Sequence, residues 1–217
     1  MCIRDSTHTD LSDELYREGK LVSDNYKNIL RSQTNAAAIP AEVTVRYGVT
    51  VRRANLRNLP TGEGLFFYAG DRNFDALQET ALDPGEAVAI LHTSTNGYFY
   101  YVQAYNYRGW LSKFDVAETD RSIWLRYAEP KNFLTVVAKD YTLKADGAQV
   151  LFQQGARLQL ADKKASAYTV KVPVRTKEGK LQEEKVVLAA NASLHEGYLP
   201  YTCLLYTSPS PRDGATS

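Results

Sequence analysis

Cysteine is almost missing from this chain: 217 residues hold two, Cys2 and Cys203, and a single methionine, Met1. All three lie in end segments that resemble translated sequencing-adapter DNA. The codons TGT CTC TTA TAC ACA TCT give Cys-Leu-Leu-Tyr-Thr-Ser, the residues at 203–208, and their reverse complement contains ATG TGT ATA AGA GAC, which gives Met-Cys-Ile-Arg-Asp, the residues at 1–5. Segments added by handling are set aside before fold reasoning. The expectation is that 1–6 and 203–217 are adapter-derived and that 7–202 is an internal piece of a longer protein. That piece has no cysteine, which excludes a disulfide, a thiol nucleophile and a cysteine metal site within it.

An excess of either charge is missing too. Twenty-six basic against 25 acidic residues leave a net charge of +1, so there is no electrostatic footprint for nucleic acid. No apolar run reaches spanning length, which predicts no membrane span. Three histidines, His8, His92 and His195, are scattered without ligand spacing, and neither a metal site nor a cofactor is expected. Asp83, His92 and Ser94 supply the residue types of a hydrolytic triad, but no Gly-x-Ser-x-Gly elbow accompanies them.

What is present begins with a helical pattern. Leu11, Leu15, Leu21, Val22, Tyr26, Ile29 and Leu30 recur at mostly three- and four-residue intervals, which predicts two short helices divided at Gly19. Ser12 and Ser23 are the expected N-caps. Such a piece cannot fold alone, and its apolar face must rest as a strap on a neighbouring β domain.

After Pro40 the texture changes to short β segments. Residues 42–53 alternate apolar and polar side chains, with Gly48 as an expected bulge or bend. A long loop at 64–81 carries Phe66, Phe67, Tyr68 and Phe74 among Asp71, Asp75 and Glu79; a loop of this length in a compact domain is usually functional. Strands are expected at 87–92 and 98–105, joined through Asn96-Gly97, a strong hairpin signal. The run from Tyr98 to Tyr101 puts aromatics on both faces of its strand, one face filling the core and the other packing on a further domain or a ligand. Residues 120–131 read as a linker whose Trp124 and Tyr127 pack against a barrel. Further strands are expected at 133–137, 149–152, 157–160, 168–175 and 184–188, with turns at Asp146-Gly147, Gln154-Gly155 and Glu178-Gly179. The predicted fold is mainly β: two tandem small barrels at 42–119 and 132–202, with a short helical strap at 7–41.

Four blocks then carry a family resemblance. Arg-Ala-Asn-Leu-Arg-Asn-Leu-Pro-Thr at 53–61, Phe-Asp-Ala-Leu-Gln-Glu-Thr at 74–80, Pro-Gly-Glu-Ala-Val at 84–88 and Tyr-Arg-Gly-Trp at 107–110 resemble the first bacterial SH3 domain of modular NlpC/P60 cell-wall peptidases. Val-Pro-Val-Arg at 172–175 and Gly-Tyr-Leu-Pro-Tyr-Thr at 197–202 are similar to the second SH3 domain of those proteins, and the helical segment to the end of their N-terminal stabilising region. The resemblance implies SH3-like barrels followed by a papain-like domain with a Cys nucleophile and a His base, absent here. It implies a parent γ-D-glutamyl-diamino acid endopeptidase acting on peptidoglycan stem peptides in the periplasm or outside the cell, and a fragment with no catalytic residues of its own. The long loop is then the counterpart of one that contacts the free amino terminus of the substrate. Glu79 and Tyr107 become the expected substrate-binding residues, supported by Gln78 and Trp110. Set against this, Gln78 and Glu79 could serve loop backbone groups and Trp110 the barrel core. A free-standing wall-binding or ligand-binding tandem SH3 protein is the alternative; its sequence beyond residue 202 would lack the Cys motif. The expected partners are stem peptide and the missing C-terminal catalytic domain.

Overall fold

The computed structural model describes residues 11–199; both end segments, His8, Tyr201 and Thr202 lie outside the described residues. The fold is mainly β, as the residue patterning predicts. At the N-terminal side, β1 (Tyr16–Arg17) and β2 (Lys20–Leu21) form a small antiparallel hairpin. The first of the two predicted helices is therefore this hairpin. Its turn is Glu18-Gly19, both at positive φ (49° and 79°), a conformation that turns two strands back on each other and cannot continue a helix. The second predicted helix stands as α1 (Asp24–Gln33), with the Ser23 side chain accepting from the Tyr26 amide as N-cap. Ser12 caps no helix.

A seven-stranded antiparallel sheet comes next. It is built from β3 (Arg46–Thr50), β4 (Ala54–Arg57), β5 (Gln78–Leu82), β6 (Ala87–Thr93), β7 (Phe99–Gln103), β8 (Arg108–Ser112) and β9 (Val116–Thr119), in the order β5-β4-β8-β7-β6-β3-β9. Side chains from every strand except β3, including both edge strands, meet in one core of Leu56, Leu82, Val88, Ile90, Val102, Leu111 and Val116 with their neighbours. The sheet thus curls around its own apolar face. Gly48 is neither bulge nor bend: the β3–β6 register runs through it unbroken. It is small because a Cβ there would stand 2.6 Å from Val116 Cγ1.

The linker contains a helix that its sequence pattern did not announce, α2 (Arg121–Ala128). After it, β10 (Phe133–Val136), β13 (Arg157–Lys164), β14 (Ala167–Arg175), β15 (Leu181–Ala189) and β16 (Leu194–Glu196) form a second sheet in the order β15-β14-β13-β10-β16, and β11 (Asp140–Ala145) pairs with β12 (Ala148–Gln153) as a separate hairpin. The predicted turns all hold glycines at positive φ: Gly147 at 73°, Gly155 at 90° and Gly179 at 85°. Leu134, Val136, Phe152, Leu158, Val170 and Val172 centre a second core.

The two β units are tied directly. The Glu118 amide donates to the Gly179 carbonyl at 2.9 Å, the Gln153 amide to Asp83 Oδ1 at 3.1 Å and Arg175 Nε to the Val116 carbonyl at 3.1 Å. Helix α2 is clasped by both. Trp124 Nε1 donates to the Val88 carbonyl at 3.0 Å, while Tyr127, 3 % exposed, donates its hydroxyl proton to Glu183 at 3.1 Å.

Candidate functional site

The long loop does not wander. Its Leu65 and Leu77 join Leu59 and, from the N-terminal segment, Leu11, Leu15, Val22 and Leu30 in a third apolar cluster. Tyr16 and Phe66 exchange backbone hydrogen bonds at 2.7 and 2.9 Å, so the hairpin β1–β2 is stitched to the loop. Glu63 receives Arg17 at 2.9 Å and the Tyr26 hydroxyl; burial first, then this carboxylate, push the Tyr26 phenol pKa up.

At its base the loop is pinned by a buried ion pair. Arg57 Nη1 lies 2.6 Å from Asp75 Oδ2, with side chains 6 % and 16 % exposed. Arg57 Nη2 also donates to the Glu63 carbonyl at 2.6 Å. The other Asp75 oxygen accepts the amides of Leu65 at 3.1 Å and Leu77 at 3.0 Å. Asp75 is thus fully occupied inside the protein, whatever its place in the loop suggested. Arg57 is the residue that sequence reasoning passed over. Its signal was a charged side chain on a strand that leads into a loop rich in carboxylates.

Glu79 lies just past this anchor. Leu56 pairs with Thr80 and Arg57 with Gln78, which leaves Glu79 as the extra residue of a β-bulge on the edge strand β5. Bulges re-aim side chains at sheet edges. Gln78 and Glu79 are both exposed, and the Glu79 side chain has no hydrogen bond or ion pair among the described residues. It does not serve the loop backbone.

Trp110 is level with Gln78 but two strands in: Gln78 pairs with Arg57 and Arg57 with Trp110. It is 0 % exposed yet stands outside the curled sheet's core, on the opposite face. There it packs on Tyr101 at 5.1 Å and edge-on to His92 at 6.2 Å. His92 Nε2 in turn reaches the Asn35 carbonyl at 3.1 Å, so the segment after α1 lies over this face. Of the aromatics on this face, Tyr101 is buried, while Tyr98, just before the strand, is exposed. Tyr107 occupies the β7–β8 turn, 42 % exposed, its carbonyl accepting from the Ala104 amide at 2.8 Å. It lies three residues, roughly 10 Å, along the strand from Trp110. Glu79 and Tyr107 therefore flank the buried Trp110 and do not form one tight cluster.

The three triad types are dispersed. Ser94 Oγ donates to Asn96 Oδ1 at 2.7 Å, His92 is bound to Asn35, and Asp83 holds Arg53 at 3.2 Å. Among the described residues no three His, Cys, Asp or Glu side chains gather as a metal-binding group, and no helix is long and apolar enough to cross a membrane.

Comparison with known proteins bears on the fold. Residues 65–112 match the model of the SH3 domain of SH3b1 type, a stretch that contains Gln78, Glu79, Tyr107 and Trp110. Among solved structures the chain is similar to an NlpC/P60 endopeptidase from Photobacterium damselae subsp. piscicida, at 23% identity and a TM-score of 0.62, over 84% of this chain and 40% of that one. This likeness is one of fold. No curated protein sequence matches the chain.

Proposed function

We propose that the chain is the non-catalytic part of a peptidoglycan peptidase of the NlpC/P60 kind, active in the cell envelope or outside the cell. In this reading the two β units are tandem SH3-like domains, roughly 42–119 and 132–202. The first presents stem peptide to a γ-D-glutamyl-diamino acid endopeptidase domain on their C-terminal side, and both units brace that domain. The observation that carries the reading is Glu79: a free carboxylate set on a bulge, at the end of a loop held rigid by Arg57, Asp75 and the leucine cluster. A stem peptide released from its glycan begins with a free ammonium, and an exposed carboxylate on a rigid support pairs with it through charge-assisted hydrogen bonds. Tyr107 supplies a flat apolar face for the peptide beyond it, while Trp110 and Gln78 hold the intervening sheet in place.

The test is a titration of the stem tripeptide L-Ala-γ-D-Glu-diaminopimelate into the chain, followed by backbone amide NMR. Shifts centred on 78–80 and 107, abolished when the tripeptide's amino terminus is acetylated, support the reading. Shifts elsewhere, or insensitivity to acetylation, contradict it.

A further inference from the structure

A cavity of about 670 Å³ lies away from Glu79, between the two β units. This size falls within the roughly 300–1,000 Å³ of ligand pockets, which favour domain junctions. Its floor is Trp124 and Tyr127 of α2, and its opposite rims carry Tyr105 of the first unit and Tyr198 of the second. Both rim tyrosines are open, 95 % and 75 % exposed, and neither hydroxyl is hydrogen-bonded among the described residues. Tyr198 is steadied by an edge-on contact with Phe133 at 4.9 Å.

Two charged groups reach the cleft, one from each unit: Glu86 and Arg157, 3.6 Å apart. Glu86 is fixed by its backbone, whose amide donates to Thr50 Oγ1 at 2.8 Å and whose carbonyl accepts from the Thr50 amide at 3.0 Å. The pair is close enough to cancel in net charge and too long to saturate either group's hydrogen-bonding capacity.

We infer that this cleft binds an uncharged N-acetylhexosamine oligosaccharide, of the kind that forms the glycan strand of the wall polymer from which the stem peptide is released. The identity of the polymer rests on the stem-peptide role proposed for Glu79. The chemistry of the cleft selects within it. A pyranose ring presents a flat face of C–H groups and a rim of hydroxyl and acetamido groups; tyrosine and tryptophan rings suit the first, and a carboxylate beside a guanidinium offers acceptors and donors to the second. Phosphate-bearing or strongly anionic ligands are disfavoured, because the single guanidinium is offset by Glu86.

The test uses tetra-N-acetylchitotetraose and the chain's two tryptophans. Trp110 is wholly buried away from the cleft and Trp124 lines it, so saturable fluorescence change that disappears in Trp124→Phe reports the cleft. Tyr105→Ala and Tyr198→Ala, at open positions, should retain the circular dichroism of the parent and each weaken binding about tenfold. Val187→Ser, an exposed change on β15, should bind as the parent does. Absence of saturation at millimolar sugar, or unchanged affinity in both tyrosine variants, overturns the inference. If the tripeptide still binds at 78–80 while the sugar does not, the cleft assignment falls alone; if the sugar binds and the tripeptide does not, the cleft stands and the peptide role falls.

Discussion

Asp75 closes on Arg57 from the far end of the long loop, 2.6 Å from guanidinium to carboxylate, with the arginine 5 % exposed. The chain between them, residues 58–74, is thereby held to one strand, and Glu79 is aimed by a loop that has a fixed base. Removing one member of a buried ion pair leaves the other charge desolvated, at a cost of about 3–5 kcal/mol. Asp75→Asn should therefore lower unfolding free energy by about 3 kcal/mol in urea titrations. It should also expose the loop around Phe67 and Tyr68 to limited proteolysis before global unfolding. An unchanged urea midpoint would remove Asp75 from its anchoring role.

Two glycines of the first sheet should respond unequally to alanine. At Gly48 the new Cβ meets a side chain, Val116 Cγ1, at 2.6 Å, whereas at Gly109 it meets the Arg57 carbonyl at 2.6 Å and Leu56 Cγ at 3.1 Å. A side chain can rotate away and a backbone carbonyl in a sheet cannot. Gly48→Ala is expected to cost about 1–3 kcal/mol, and Gly109→Ala more, with the β4–β8 pairing lost. Thermal melts of the two variants give the order directly.

Much of the fold was legible because the signals are local. Asn96-Gly97 and Asp146-Gly147 demanded turns, and the short segments at 87–92 and 168–175, set between turn signals, read as strands. What escaped depended on distant partners. The spacing of Leu11, Leu15 and Val22 suits a helix, yet Glu18-Gly19 imposes a turn and the leucines reach their cluster from a non-helical segment. Helix α2 is eight residues long, too short to stand on propensity, and it exists because Trp124 and Tyr127 are gripped by different β units. At the candidate site the residue types at Glu79 and Tyr107 could be named from the sequence. That Glu79 is a bulge residue, that Asp75 is already spent on Arg57 and that Trp110 is buried against Tyr101 and His92 are facts of pairing, which no linear pattern carries.

Acid should loosen the joint between α2 and the second sheet. Glu183 accepts from Lys171 at 2.8 Å, from Arg126 at 3.2 Å and from Tyr127. Burial acts to raise its pKa, but the hydrogen bonds and charges of Lys171 and Arg126 outweigh burial and set it below the ordinary glutamate value. Burial pushes the Tyr127 phenol far up, so it remains a donor at any working pH. A carboxyl depressed in the folded state contributes stability that is fully present above its unfolded value, about 4.3, and is lost as pH falls through the lower folded value. Urea midpoints measured downward from pH 6 should fall in this acidic range. Glu183→Gln should be less stable at pH 6 and show a shallower acid dependence; a variant as steep as the parent would contradict the assignment.

The most direct test of substrate positioning is calorimetric titration of the stem tripeptide into the parent chain and into Glu79→Gln. A charge-assisted pair contributes about 1.5–3 kcal/mol, so the glutamine variant should bind about 10- to 100-fold more weakly, with its thermal unfolding unchanged because Glu79 is exposed and unpaired. Equal affinity of the two proteins for the tripeptide would contradict the claim that Glu79 receives the substrate's amino terminus.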